Sequence, residues 1–217
     1  MTRAWEDVED YLARNVVKPE PVFDEVRQAS AAAGLPDIAV TAAEGKQMEL
    51  MARMAGARRI LEIGTLGGYS TIWLARALPD GGNLVTLEFN PKHAEVARGN
   101  IARAGFADRV EVKTGAALDL LPKLQGPFDF FFIDANKDGY PEYFRWALKL
   151  SRPGSVMVFD NVVRNGKLLD EGSTDALVQG VRGLVEAIVG EPRVSATAIQ
   201  TVGRKGYDGY VVAMVTG

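Results

Sequence analysis

Apolar residues near the start of the chain recur at helical spacing. Trp5, Val8, Tyr11 and Leu12 fall three to four apart, which places them on one face of a helix. Pro19 and Pro21 interrupt that pattern and start a second helix near Val22. "AGLPD" (33–37) ends it, with Gly34 just past the helix and Pro36 beyond. A third helix is predicted from about Thr41 to Ala55. At Arg59 the pattern changes. ILEIG (60–64), NLVTLE (83–88), VEV (110–112), FDFFFID (128–134) and SVMVFD (155–160) are short apolar runs that read as strands. Helical stretches lie between them: Thr71–Leu78, stopped by "PDGG"; 90–105, where Asn90 caps and Pro91 takes the first turn; and 140–150. Leu177, Val181, Leu184, Val185 and Ile188 form a last amphipathic helix. RVSATAIQTV (193–202) and GYVVAMV (209–215) then flank the glycine-rich "GRKGYDG" as an antiparallel pair.

Alternating strands and helices predict an α/β fold, a mostly parallel sheet with helices on both faces. Continuous apolar strands such as FFFI suit a sheet covered on both sides. No repeat, low-complexity tract or long linker divides the chain, so residues 1–217 read as one domain with a helical N-terminal segment, 1–57. A net charge of −3 gives no basic footprint for nucleic acid. No apolar run approaches the ~20 residues of a membrane span, and the charged N-terminus has no signal-peptide core, so a cytoplasmic location is expected. Cysteine is absent and His93 is the sole histidine, which removes thiolate chemistry and His-rich metal sites. Any metal must be held by oxygen, favouring magnesium, calcium or manganese.

Two places carry candidate chemistry. The first is LEIGTLGGYS (61–70), where a strand turns into a helix. In an open parallel sheet, ligands bind at the carboxyl ends of strands. Glycines here let backbone approach a cofactor, and Ser70 and the helix amides face the same cleft. The dinucleotide fingerprint is missing because Leu66 replaces its second glycine. Glu62 would repel a pyrophosphate and suit an amine-bearing ligand, or it is a buried acid capping local amides in a plain strand–helix turn. Glu88 ends the next strand, where an acid commonly accepts from ribose hydroxyls. Together they favour a nucleoside without a diphosphate. The second place is the pair of strand ends FFFID (130–134) and VMVFDN (156–161). If these strands pair, Asp134 and Asp160 stand side by side and repel. A divalent cation relieves that conflict, and Asn161 offers a further oxygen; alternatively Asp160-Asn161 only caps a loop. Lys137, beside Asp134, is either a solvent-facing loop lysine or a base that takes a proton from a substrate hydroxyl.

LEIGTLGGYS, TLEFNPKHAEVARGNIARAG, FFIDANKDGYPEYF and RPGSVMVFDNVVRNG, in this order, resemble the cation-dependent, S-adenosylmethionine-dependent O-methyltransferases, the relatives of the catechol and caffeoyl-CoA enzymes, and small bacterial members above all. The resemblance covers about residues 36–215. It implies a Rossmann-like class I methyltransferase sheet of seven strands with the last antiparallel. It implies a cofactor site at Glu62, Gly64, Gly68, Ser70, Glu88, Phe89, Ala116 and Asp134, metal ligands Asp134, Asp160 and Asn161, and Lys137 as catalytic base. The implied acceptor is a small aromatic diol. Relatives of this size often form homodimers through N-terminal helices, which would make Trp5, Val8 and Leu12 interface residues. Departures are Asn136, where many relatives carry Asp, and Ala117 in place of a polar residue; His93 reads as a helix-surface residue near the cofactor. An NAD-dependent oxidoreductase and a non-catalytic nucleoside-binding protein are the competing readings.

Overall fold

The computed structural model describes residues 4–217. Seven strands form one sheet in the order β3-β2-β1-β4-β5-β7-β6. They are β1 (Arg59–Ile63), β2 (Asn83–Glu88), β3 (Val110–Thr114), β4 (Phe130–Ile133), β5 (Val156–Asp160), β6 (Val194–Gly203) and β7 (Gly206–Val215). β1 to β5 run parallel, and β7 is antiparallel to both β5 and β6. The helices are α1 (Ala4–Leu12), α2 (Pro21–Ala32), α3 (Ala42–Met54), α4 (Tyr69–Ala75), α5 (Pro91–Arg103), α6 (Ala117–Leu120), α7 (Tyr140–Lys149) and α8 (Ala176–Val189). None is long and apolar enough to cross a membrane.

Alternate residues of each central strand serve opposite cores. Leu61, Ile63, Phe131, Ile133 and Phe159 face Tyr140, Phe144, Val181 and Leu184 of α7 and α8. Ile60, Phe130, Phe132 and Val158 face Phe23, Met48, Trp73 and Ile101 of α2 to α5. This is why FFFI is apolar at every position: each strand residue is buried on one side or the other. Phe23 stacks on Trp73 at 3.9 Å, fastening the N-terminal helices to the sheet.

Strand order reverses between β1 and β4, since β1 leads outward to β2 and β3 while β4 leads the other way to β5. At such a switch point the loops part and leave a crevice at the carboxyl ends. In register, Ile63 pairs with Ile133 and Ile133 with Phe159, so Gly64, Asp134 and Asp160 emerge together. Two boundaries differ from expectation. α4 begins at Tyr69, two residues early, because Gly68 takes φ +83 and leaves the next residue free to be helical. The terminal hairpin is tighter than its glycines suggest: Gly203 pairs with Gly206, leaving only Arg204 and Lys205 as its turn.

Candidate functional site

Gly64 has φ +98, and a Cβ there would collide with the carbonyl oxygen of Asp134. The β1 turn therefore meets the end of β4 backbone to backbone, a contact only glycine permits. Across the turn, Glu88 Oε2 accepts from the N–H groups of Thr65 at 3.1 Å and Leu66 at 2.8 Å, while Oε1 accepts from Asn90 N–H at 2.9 Å. Leu66 sits at φ +50, an unusual place for a leucine. The Glu88 carboxylate holds it there, so the position that breaks the dinucleotide fingerprint keeps a glycine-like backbone.

Glu62 is 0% exposed and lies beneath the turn. Its oxygens accept from Ser70 Oγ at 2.6 Å, Thr86 Oγ1 at 2.7 Å and Thr71 Oγ1. Burial pushes its pKa up to about 7; the three hydroxyls oppose the shift and the Asp134 charge adds to it. The carboxyl thus ties β1, β2 and the start of α4 into one unit.

At the neighbouring strand ends, Lys137 Nζ donates to Asp134 Oδ1 at 2.6 Å, and the lysine is 8% exposed. Burial raises Asp160 to about 8, and the charges of Asp134 and Glu44 reinforce that direction. One Asp160 oxygen accepts from Asn161 N–H at 2.8 Å. Tyr140 O–H donates to the Asp160 carbonyl oxygen at 2.6 Å and shares that proton with the Ile133 carbonyl at 3.1 Å, linking β4 to β5 beside the carboxylates. Asn136 Oδ1 accepts from Tyr143 Oη at 2.5 Å, and its amide donates to Asp138 Oδ1 at 2.7 Å, which fixes the loop that carries Lys137. A Cβ on Gly180 of α8 would collide with the Lys137 carbonyl oxygen, so α8 presses on the same loop from outside.

These groups open into one cleft of about 1180 Å³. Gly64, Ser70, Glu88, Phe89, Ala116, Asp134, Lys137 and Asn161 line it. Phe89 is 77% exposed and offers a free aromatic face. Among the described residues, no three His, Asp or Glu side chains gather closely enough to hold a metal; the available set is two carboxylates and one amide.

A family profile for O-methyltransferases matches residues 14–209. This chain belongs to the O-methyltransferase family. A catechol O-methyltransferase of Mycobacterium tuberculosis is 53% identical over 210 residues, covering 96% of this chain and 95% of the relative. The O-methyltransferase of Bacillus cereus, solved in complex with S-adenosylhomocysteine, is 54% identical with a TM-score of 0.97 over 100% of both chains. The O-methyltransferase of Streptomyces achromogenes involved in tomaymycin synthesis, solved with S-adenosylmethionine, is 52% identical with a TM-score of 0.96, again over 100% of both.

Membership sets aside the oxidoreductase reading and makes the chain an enzyme. Three of the residues singled out in the sequence of this O-methyltransferase do not line the cleft. Glu62 is buried under the turn with all its visible bonding directed to hydroxyls. Gly68 is not part of the cleft lining; a Cβ there would make only ordinary contact with Ala97 and Ile101 of α5, and it is the backbone at φ +83 that calls for glycine. Asp160 is not among the residues that line the cleft, although its neighbour Asn161 is. Ser70 does line the cleft, but its proton goes to Glu62, leaving its oxygen to accept rather than donate. His93, read as a helix-surface residue near the cofactor, lines the cleft and stands 3.5 Å from Glu88. The sequence reading missed the opposite wall, which α2 and the following loop supply through Val26, Arg27, Ser30, Leu35 and Val40. Val26, Arg27 and Ser30 share one helical face, a signal that a stop-and-start reading of "AGLPD" passes over. It also missed Arg164, which enters the cleft from beyond Asn161.

Proposed function

We propose that this O-methyltransferase moves the methyl group of S-adenosylmethionine to one hydroxyl of a small aromatic vicinal diol, with a divalent cation at Asp134, Asp160 and Asn161. The observation that carries the reading is the shared end of β4 and β5. The Lys137 amine stands 2.6 Å from the Asp134 carboxylate, and a second, partly buried carboxylate, Asp160, ends the adjacent strand on the same sheet edge as the glycine turn. The cofactors printed for the B. cereus and S. achromogenes relatives, and the acceptor in the name of the M. tuberculosis relative, support it.

Gly64, Ser70, Glu88, Phe89 and Ala116 would hold the cofactor, with Asp134 near its methionine end. Glu62 and Gly68 would act from behind, by shaping the turn. A cleft of about 1180 Å³ exceeds what one small ligand usually fills and has room for the acceptor as well. The donor set fits a hard cation. Asp160 is driven toward its neutral form by burial and by Asp134, a conflict that two positive charges would remove. Magnesium suits these oxygens best; manganese and calcium accept the same kind. When bound, the cation would lower the pKa of a coordinated hydroxyl.

Lys137 would take the hydroxyl proton at Nζ. Asp134 aims that nitrogen, and Tyr143 with Asn136 keeps its loop from moving. The walls then align the oxygen with the sulfonium methyl, which supplies much of the rate. The N-terminal helices would join two copies into a homodimer.

The test is methyl transfer from S-adenosylmethionine to a panel of catechols, with magnesium and with EDTA. Turnover abolished by EDTA and restored by magnesium is expected. Turnover indifferent to EDTA would take the cation out of the mechanism.

A further inference from the structure

Four cationic or imidazole side chains line the cleft: Arg27, His93, Lys137 and Arg164. Three are engaged. Arg27 donates to the Val40 carbonyl at 3.0 Å and lies over the Tyr69 ring. His93 leans on Glu88 and Lys137 on Asp134. Arg164 is different. Its Nε is buried with no hydrogen-bond partner among the described residues. A guanidinium is always charged and carries five donors, and its other nitrogens make no hydrogen bond or ion pair among the described residues either, so the group as a whole is left for a ligand in the cleft it lines.

The backbone is built to put it there. Arg164 has φ +57 and is followed by Asn165 at +54 and Gly166 at +80, three consecutive left-handed residues. Asp208 Oδ1 holds the approach by accepting from the N–H groups of Val163 (2.9 Å) and Arg164 (3.1 Å). Strain kept in place by such over-determination concentrates at ligand sites. Position then separates the two arginines. Arg27 flanks Tyr69 and the glycine turn, at the cofactor end. Arg164 follows Asn161 by three residues on the loop after β5, and both line the cleft, which puts the guanidinium next to the metal ligand proposed above and so on the acceptor's side.

We propose that Arg164 is a specificity residue that pairs with an anionic substituent on the acceptor, so that the preferred substrate is an aromatic vicinal diol carrying a carboxylate. This rests on the diol-methylating reading above and deepens it. A guanidinium meets a carboxylate through two parallel hydrogen bonds, which a neutral diol cannot offer and an ammonium-bearing diol repels.

The experiment compares catechol, 3,4-dihydroxybenzoate and dopamine as acceptors for the wild type, Arg164→Gln and Arg164→Lys. Binding of 3,4-dihydroxybenzoate and catechol to the S-adenosylhomocysteine-loaded protein is measured by calorimetry alongside. The wild type should favour the acid in kcat/KM. Arg164→Gln should lose roughly 10- to 100-fold on the acid, the size of one charge-assisted contact, and little on catechol. Arg164→Lys should recover part of the loss. An equal fall on all three acceptors, or a wild type that prefers catechol or dopamine to the acid, would overturn the proposal while leaving diol methylation intact. If no acceptor is methylated, the diol reading fails by itself. Calorimetry then still decides the arginine: acid binding that Arg164→Gln weakens supports it, and unchanged or absent acid binding refutes it. Should Arg164→Gln not fold, the wild-type preference among the three acceptors decides.

Discussion

At the scale of single residues, the site rests on carboxylates that serve different partners. Glu62 is wholly interior, and its pKa rises from 4.5 to about 7 because burial outweighs three hydroxyl donors. In the unfolded chain it ionises near its ordinary value. The folded state therefore holds more protons than the unfolded state between those limits, and stability is lost as pH rises through that window. At about 1.4 kcal/mol per pH unit the loss reaches about 3 kcal/mol. Glu62→Gln cannot titrate, so its stability relative to wild type should improve by up to that amount between pH 4.5 and 7. Urea unfolding of both proteins across that range measures it; parallel curves would mean that Glu62 stays ionised when folded. Lys137 is tested by kinetics. Lys137→Gln should lower kcat by about 100- to 10,000-fold, the span of general base catalysis, and leave S-adenosylmethionine affinity nearly unchanged. A variant that keeps its kcat would strip Lys137 of the base role. The carboxylates, the amide and the lysine were all visible in the sequence because strand ends announce themselves as apolar runs halted by a charge. A buried Glu62 was one of the two readings of the turn, but with amides as its partners; that hydroxyls claim it was not visible. Ser70, Thr71 and Thr86, which claim it, come from two other elements, and no local pattern joins them.

At the scale of elements, the central sheet was legible throughout because its strands are apolar on both faces, a signal that survives without knowing the neighbours. The ends were less so. In the C-terminal hairpin, glycines at 203 and 206 look like loop but stand as the last pair of the ladder, since a glycine at φ +92 turns the chain as soon as the pairing ends. The pressure of α8 on the loop that carries Lys137 was hidden for another reason: Gly180 reads as a weak helical residue, and only its neighbour across space gives it meaning. Gly180→Ala would drive a methyl into the backbone at Lys137 and Asp138. We expect a stability loss of about 1–3 kcal/mol from overpacking. We also expect kcat to fall by up to about 100-fold as Lys137 shifts from its position. Thermal unfolding and steady-state kinetics separate the two effects. Gly183→Ala, one turn on, would meet only Pro141 side-chain atoms and serves as the control, with kcat held near wild type.

At the scale of the whole molecule, the apolar stripe that opens the sequence finds no core. None of the residues of α1 is buried, and Trp5, Val8, Tyr11 and Leu12 all remain exposed. The helix is nevertheless held in place. Asp10 pairs with Arg204 at the hairpin turn, and Glu9 accepts the Arg204 N–H at 2.7 Å. The stripe thus continues toward β6, the ten-residue edge strand of the sheet, where Ile199 and Val202 are exposed as well. A long unpaired edge beside an apolar helix is a surface that chains either cover or lose to aggregation. A second copy laid across α1 and β6 covers both at once, and this geometry is the reason for expecting the homodimer. Sedimentation of the wild type at micromolar concentration should therefore give a dimer. Val8→Glu combined with Leu12→Glu would bury two carboxylates without partners, a penalty of several kcal/mol. The dimer should then weaken by more than about 1000-fold. Because both side chains are among the exposed apolar residues of their own protomer, the monomer should keep most of its thermal stability and its cofactor affinity. A wild type that sediments as a monomer would remove the dimer and leave the stripe to another partner, whereas a double variant that unfolds would show that α1 supports its own chain after all.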